Sequence, residues 1–148
     1  MDFDSLEQLE KSFNIAVAKS LQTTVLEKVK DIMVEEIQTE VYDAYKSEAT
    51  NPYERTGRLK DRDNIKGTII GENLLQVVND RGKTAKGKDI STVIQSGVGY
   101  TWKLSEIYYT KMARPFYTTT TYRIKGSNLR DIVNALKVGL KPSGFNLE

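Results

Sequence analysis

Two arginines flank a Thr-Gly pair at Arg55-Thr56-Gly57-Arg58, inside the stretch YERTGRLKD that spans residues 53–61. Arginines beside a turn suit bidentate recognition of phosphate or carboxylate, so this joint is the first place to look for chemistry. The second is DRGKTAKGKD, residues 80–89, whose Gly82-Lys83-Thr84 resembles the end of a phosphate loop. That reading fails on spacing: a nucleotide loop needs a glycine five residues before Gly82, where this chain has Val77, and a helix straight after the threonine. What remains is a flexible basic loop, with Arg81, Lys83, Lys86 and Lys88, suited to phosphates or an acidic partner surface. Paired carboxylates occur at Asp61/Asp63 and Glu35/Glu36. Each has Lys or Arg close in sequence, and the first pair lies in a polar linker without the apolar pocket that raises a carboxylate pKa, so neither pair is expected to be catalytic.

The chain contains no His and no Cys. Thiolate nucleophiles, disulfides, thiolate metal sites and the usual general base near neutral pH are therefore missing. No enzyme activity, cofactor or metal is expected. Eight tyrosines and one tryptophan read as core and interface filler, because tyrosine combines large area with a polar tip. Tyr108, Tyr109 and Tyr117 are candidates for base stacking only if exposed.

The elements that must position these residues are set by the apolar spacing. From Ser5 to Tyr45 the residues Leu6, Leu9, Phe13, Ala16, Val17, Val25, Val29, Ile32, Ile37, Val41 and Tyr45 recur at mostly three- and four-residue steps, a helical stripe. Ser5-Leu6-Glu7-Gln8 fits a capping box at its start. One helix over about residues 5–47 is favoured, with SLQTT at 20–24 its weakest part. Forty residues would reach roughly 60 Å, more than a domain of this size can cover, so part of the helix needs an outside neighbour. Asn51-Pro52 ends it, and a linker runs over 50–63. IKGTII (65–70) and LLQVVN (74–79), joined by Gly71-Glu72-Asn73, read as a hairpin. Val98, Tyr100, Trp102 and Leu104 alternate with polar residues as a third strand, and YTTTTYRI (117–124) reads on propensity as a fourth, although Pro115 is also able to start a helix there. A helix with a Ser127 or Asn128 cap covers 127–140, leaving 141–148 as a tail. The fold class is α+β: a long N-terminal helix, a small antiparallel sheet of 3–5 strands over about 65–124 and a C-terminal helix packed on it, in a single domain.

The net charge of +2 is unevenly spread. Residues 1–49 carry 11 acidic and 5 basic side chains, a net of −6, and the remainder 9 and 17, a net of +8. Such halves either present solvated faces of different sign or attract subunits head to tail. There is neither a run of about 18 apolar residues nor a basic start followed by an apolar block, so no membrane span and no secretory signal are expected.

Tyr53, Arg55, Thr56, Gly57 and Leu59, followed about 55 residues later by Arg114-Pro115-Phe116, resemble the paired signature of a family of tailed-bacteriophage neck and tail-component proteins. The resemblance implies the order helix, linker, sheet, helix. It also implies a structural role as a tail-completion or head–tail joining protein: a homo-oligomeric ring, hexameric on a six-fold tail, between connector or adaptor proteins and the tail terminator or tube. Such a protein is located in the virion neck, is assembled in the host bacterial cytoplasm, and is able to touch channel DNA non-specifically. The rival readings are a small basic nucleic-acid-binding protein of mobile-element origin and, more distantly, a His-free ribonuclease toxin. On the structural reading, Arg55→Ala or Arg114→Ala lowers the yield of infectious particles more than it lowers solubility. Normal yield from both variants would show that the signature does not serve assembly.

Overall fold

The computed structural model of the chain describes residues 3–44, 56–101, 103 and 106–148. The Ser5 hydroxyl accepts the Gln8 backbone N–H at 3.2 Å, and the Gln8 side chain accepts the Asp4 N–H at 2.9 Å, one residue earlier than in a capping box. From this cap helix α1 (Leu6–Ser20) passes through a π segment (Leu21–Val25) into α2 (Leu26–Ile37) and a second π segment (Gln38–Asp43) without a break. The expected long helix is therefore present as far as Asp43, and residues 45–47 lie outside the described part. The first π segment coincides with SLQTT: Thr23 Oγ1 donates to the Lys19 carbonyl at 2.8 Å, and such back-bonding competes with the regular ladder.

That segment is also where the last helix, α6 (Leu129–Leu140), is fastened. Ser20 Oγ donates to the Leu136 carbonyl at 2.9 Å and Thr24 Oγ1 to the Ala135 carbonyl at 2.7 Å. The approach is close enough that a Cβ on Gly139 would lie 2.1 Å from Ser20 Oγ and 2.4 Å from Thr24 Oγ1. Asn128 occupies the N-cap position of α6, but its side chain bonds Arg123 and Asp131 instead of capping the backbone. Beyond α6, the stretch read as a tail brings Phe145 edge-on to Phe13, with ring centroids 5.2 Å apart.

The hairpin forms as expected: β1 (Ile65–Ile70) pairs antiparallel with β2 (Leu74–Asn79), with Ile65 opposite Asn79, and Gly71 supplies the positive φ of 63° in the connecting turn. Ile65, Gly67, Ile69, Leu75, Val77 and Asn79 make the more buried face. Gly67 sits against Leu26, because a Cβ there would come within 2.6 Å of the leucine tip.

The sheet has two strands among the described residues, not three to five. Val98–Thr101 and Lys103 adopt no strand, while Trp102 and Leu104 lie outside the described residues. Gly97 and Gly99 take φ of 71° and 102°, which an extended strand cannot accommodate. In front of them an unpredicted helix, α3 (Ile90–Ser96), is capped by Asp89, which accepts the Thr92 N–H at 2.7 Å. After a short helix α4 (Glu106–Thr110) comes the second correction: 117–124 is helical, within α5 (Phe116–Lys125). Pro115 makes a tight turn in which the Phe116 N–H reaches the Arg114 carbonyl at 2.9 Å. The threonines that favour a strand on propensity are satisfied here by the preceding turn, as in Thr120 Oγ1 to the Phe116 carbonyl at 2.6 Å and Thr121 Oγ1 to that of Tyr117 at 2.9 Å.

The core gathers Met33, Ile37 and Val41 from the long helix with Leu59, Ile65 and Phe116. Arginines from the second half clamp its rim. Arg62 bridges Glu27, at 2.5 Å, and Asp31, while Arg123 bridges Glu35 at 2.8 Å and Glu36 at 2.7 Å. Part of the charge difference between the halves is thus used inside the chain. An exposed helical glycine changed to alanine gains about 1 kcal/mol; at Gly139 the sign should reverse. Gly139→Ala is expected to cost about 1–3 kcal/mol through overpacking against Ser20 and Thr24, read from the urea midpoint.

Candidate functional site

Of the first signature segment, Tyr53 and Arg55 lie outside the described residues. Thr56 is exposed, and its hydroxyl receives a long contact of 3.4 Å from Arg81. Gly57 takes a φ of 69° and turns the chain into a single 3-10 turn, Arg58–Lys60, that drives Leu59 into the core. A second such turn, Arg62–Asn64, comes next, with Asp61 accepting the Asp63 N–H at 3.0 Å. The second segment delivers Phe116, which is fully buried, into the same cluster as Leu59. The structure therefore brings the two described anchors of the signature together, as Leu59 and Phe116.

Asn79, at the end of β2, binds these pieces and was not foreseen from sequence. Its side-chain amide donates to the Leu59 carbonyl at 2.6 Å, and its own carbonyl accepts the Ser91 hydroxyl at 2.6 Å. Its backbone N–H donates to the Tyr117 hydroxyl at 2.7 Å. One buried residue thus joins the linker, the hairpin, α3 and α5, with a backbone group as donor or acceptor in each of these three hydrogen bonds. Burial pushes the Tyr117 phenol above the ordinary tyrosine range; the bonds with Asn79 and Ser91 pull it back, and Asp89 adds to the rise. Tyr117 is consequently no stacking platform for a base. Tyr109 is exposed, with Tyr108 edge-on to it at 5.2 Å.

The carboxylate pairs are occupied by local structure. Asp61 caps a turn, and Glu35 and Glu36 share Arg123. Glu27 is held below the usual carboxylate range by Lys30 first and Arg62 second. No group of three or more metal-ligating side chains occurs among the described residues. In the basic loop Arg81 leans toward Thr56, while Lys83, Lys86 and Lys88 are exposed and form no ion pair among the described residues.

Arg114 is different in kind. It is only 4% exposed, its guanidinium carbon lies 5.8 Å from the centre of the Tyr100 ring, and its Nε and Nη2 have no hydrogen-bond partner among the described residues. A buried guanidinium without an anion costs several kcal/mol in a folded chain, and arginine cannot shed the charge by losing its proton.

Residues 5–142 match the family model described as YomN. The chain belongs to the YomN family. It is 36% identical over 126 residues to the SPbeta prophage-derived protein YomN of Bacillus subtilis (strain 168), a match covering 81% of each chain. Phage ancestry is established by membership of the YomN family together with that relative. No solved structure matches. The YomN match spans both signature segments, the hairpin and α6, and so includes the whole joint built around Asn79.

Tyr117→Phe tests that joint. It leaves the buried Asn79 N–H without an acceptor and should cost about 1–3 kcal/mol at neutral pH. Because the folded-state phenol titrates higher than the unfolded one, its contribution is complete below about pH 10 and fades as pH rises through the folded value. Urea unfolding at pH 7 and at about pH 10.5 should therefore show a shallower alkaline loss in the variant than in the wild type.

Proposed function

We propose that the chain is a structural component of a tailed-phage particle, a tail-completion or head–tail joining protein that forms a ring between connector and tail tube. The observation that carries this reading is the convergence of Leu59 and Phe116, one from each signature segment, on one core, tied by the Asn79 hydrogen bonds. The joint is built to hold two segments in fixed relation, with its polar groups spent on backbone partners. That suits a part whose task is to present surfaces accurately and supports no catalytic role. Membership of the prophage-associated YomN family agrees with a phage setting. The exposed apolar residues Leu6 and Ile15 on α1 supply a surface that neighbouring subunits of a closed ring can share.

A second reading, a basic nucleic-acid-binding protein, is favoured by one observation: Lys83, Lys86 and Lys88 are exposed and form no ion pair among the described residues. Within the ring reading the same loop accounts for non-specific contact with DNA in the channel.

Mass spectrometry of purified particles, with electron microscopy of a deletion mutant, decides between them. The expected result is a fixed copy number of the chain per particle, and unjoined heads and tails in its absence. A chain missing from particles, yet binding duplex DNA with a steep salt slope, would sink the first reading and favour the second.

A further inference from the structure

The two orphaned nitrogens of Arg114 are not a random pair. Nε–H and one Nη2–H lie side by side on one edge of the planar guanidinium, the edge that grips both oxygens of a carboxylate at once. A complete recognition edge is therefore left without an acceptor, although both nitrogens are covered from solvent in the single chain. The Tyr100 ring meets the cation through its face, which eases the charge but accepts neither N–H. The backbone around the site is fixed in advance. The Arg114 N–H donates to the Ile94 carbonyl at 3.1 Å, and Gly97 is pressed so tightly on the facing segment of chain that a Cβ there would lie 2.3 Å from the Lys111 carbonyl oxygen. Among the described residues no carboxylate forms an ion pair with Arg114, and the acids of α2 that have arginine partners go to Arg62 and Arg123.

We propose that Arg114 is an intersubunit receptor whose Nε/Nη2 edge takes a carboxylate from the acidic start of α1 in a second copy of the chain, a contact that rests on the ring-assembly function proposed for the chain. The chain itself carries the donor surface. Asp4, Glu7 and Glu10 are exposed, form no ion pair among the described residues, and surround Leu6, which is 84% exposed. The rim of the receptor has the opposite sign: the Lys88 side chain lies against Gly99, next to Tyr100 in sequence, and Lys111 is exposed at the Gly97 contact. Complementary charge brings the two surfaces together, and a shift of the Tyr100 ring lying over the guanidinium lets the carboxylate reach the covered edge. Because donor and receptor are different patches, the contact is heterologous and propagates from copy to copy, as a ring requires.

Sedimentation velocity of the full chain over a wide concentration range tests the contact. The triple variant Asp4→Lys/Glu7→Lys/Glu10→Lys changes only exposed side chains, and it is compared with Arg114→Met and with the two combined. Wild type should self-associate, each variant should weaken association at least about tenfold, and the combination should be no worse than either alone, because both remove one contact. In monomeric conditions Arg114→Met should unfold at the same urea concentration as wild type or a higher one, since it relieves an uncompensated charge. Association of the triple variant at wild-type strength, additive effects, or a marked loss of monomer stability in Arg114→Met, which would place a carboxylate of the same chain on Arg114, each overturns the proposal. Wild type that associates while the triple variant also does so removes this contact and leaves the ring intact. Wild type that stays monomeric at every concentration removes this contact, and absence of the chain from purified particles removes the ring with it.

Discussion

The joint between the linker, the hairpin, α3 and α5 depends on buried Asn79. A two-stranded hairpin is marginal by itself, and single turns such as Arg58–Lys60 have almost no stability of their own. Asn79 stands where the hairpin ends, and with one amide and its own backbone it bonds groups from the linker, α3 and α5. A buried polar residue is tolerable only when its groups are satisfied, and that demand works in reverse as a specification. The linker and α3 must arrive for the amide to be satisfied, and α5 for the backbone N–H, or buried polar groups of Asn79 are left without partners. Leu59 and Phe116 supply the burial, and Asn79 supplies the uniqueness.

Electrostatics is divided in a similar way between internal and external duties. Arg62 and Arg123 reach across to α2 and use acids that, in a count of charges along the chain, stand as a surplus. These bridges are partly exposed and contribute modestly, but they orient the linker and α5 on the helix. The acids at the start of α1 and the lysines of the basic loop have no such engagement among the described residues, and they are what the outside of the molecule presents.

The parts of the fold legible in the sequence are those where one local rule dominates: the Ser5 cap, the long apolar stripe, the Gly71-Glu72-Asn73 turn and the α6 stripe. Misreadings arise where two rules compete. The run of threonines at 118–121 favours a strand on rotamer grounds, yet their hydroxyls find carbonyls one turn back, and the Pro115 turn starts a helix. Val98 to Leu104 alternates well, but Gly97 and Gly99 adopt positive φ and α3 precedes them; Asp89 and Gly97 are the available cap signals for that helix. The site divides in the same fashion. The two signature segments can be named from their residues, and their meeting through Leu59 and Phe116 is a fact of packing. Asn79 escapes a sequence reading because a lone asparagine at a strand end looks like turn chemistry until its partners are known.

The π segments make the long helix a device for setting phase. Its buried residues step from Ser20 to Val25, a spacing of five where a regular helix uses three or four, and each such turn rotates the downstream helix relative to the upstream one. The face that α1 offers to α6 and the face that α2 offers to Phe116 and Leu59 are therefore set by winding as much as by side-chain identity. Loss of one residue between Leu21 and Val25 would leave the helix the same in composition and almost the same in length. Its two ends would be turned by roughly 100° against each other, which makes chain length at that point a determinant of how the two faces are oriented.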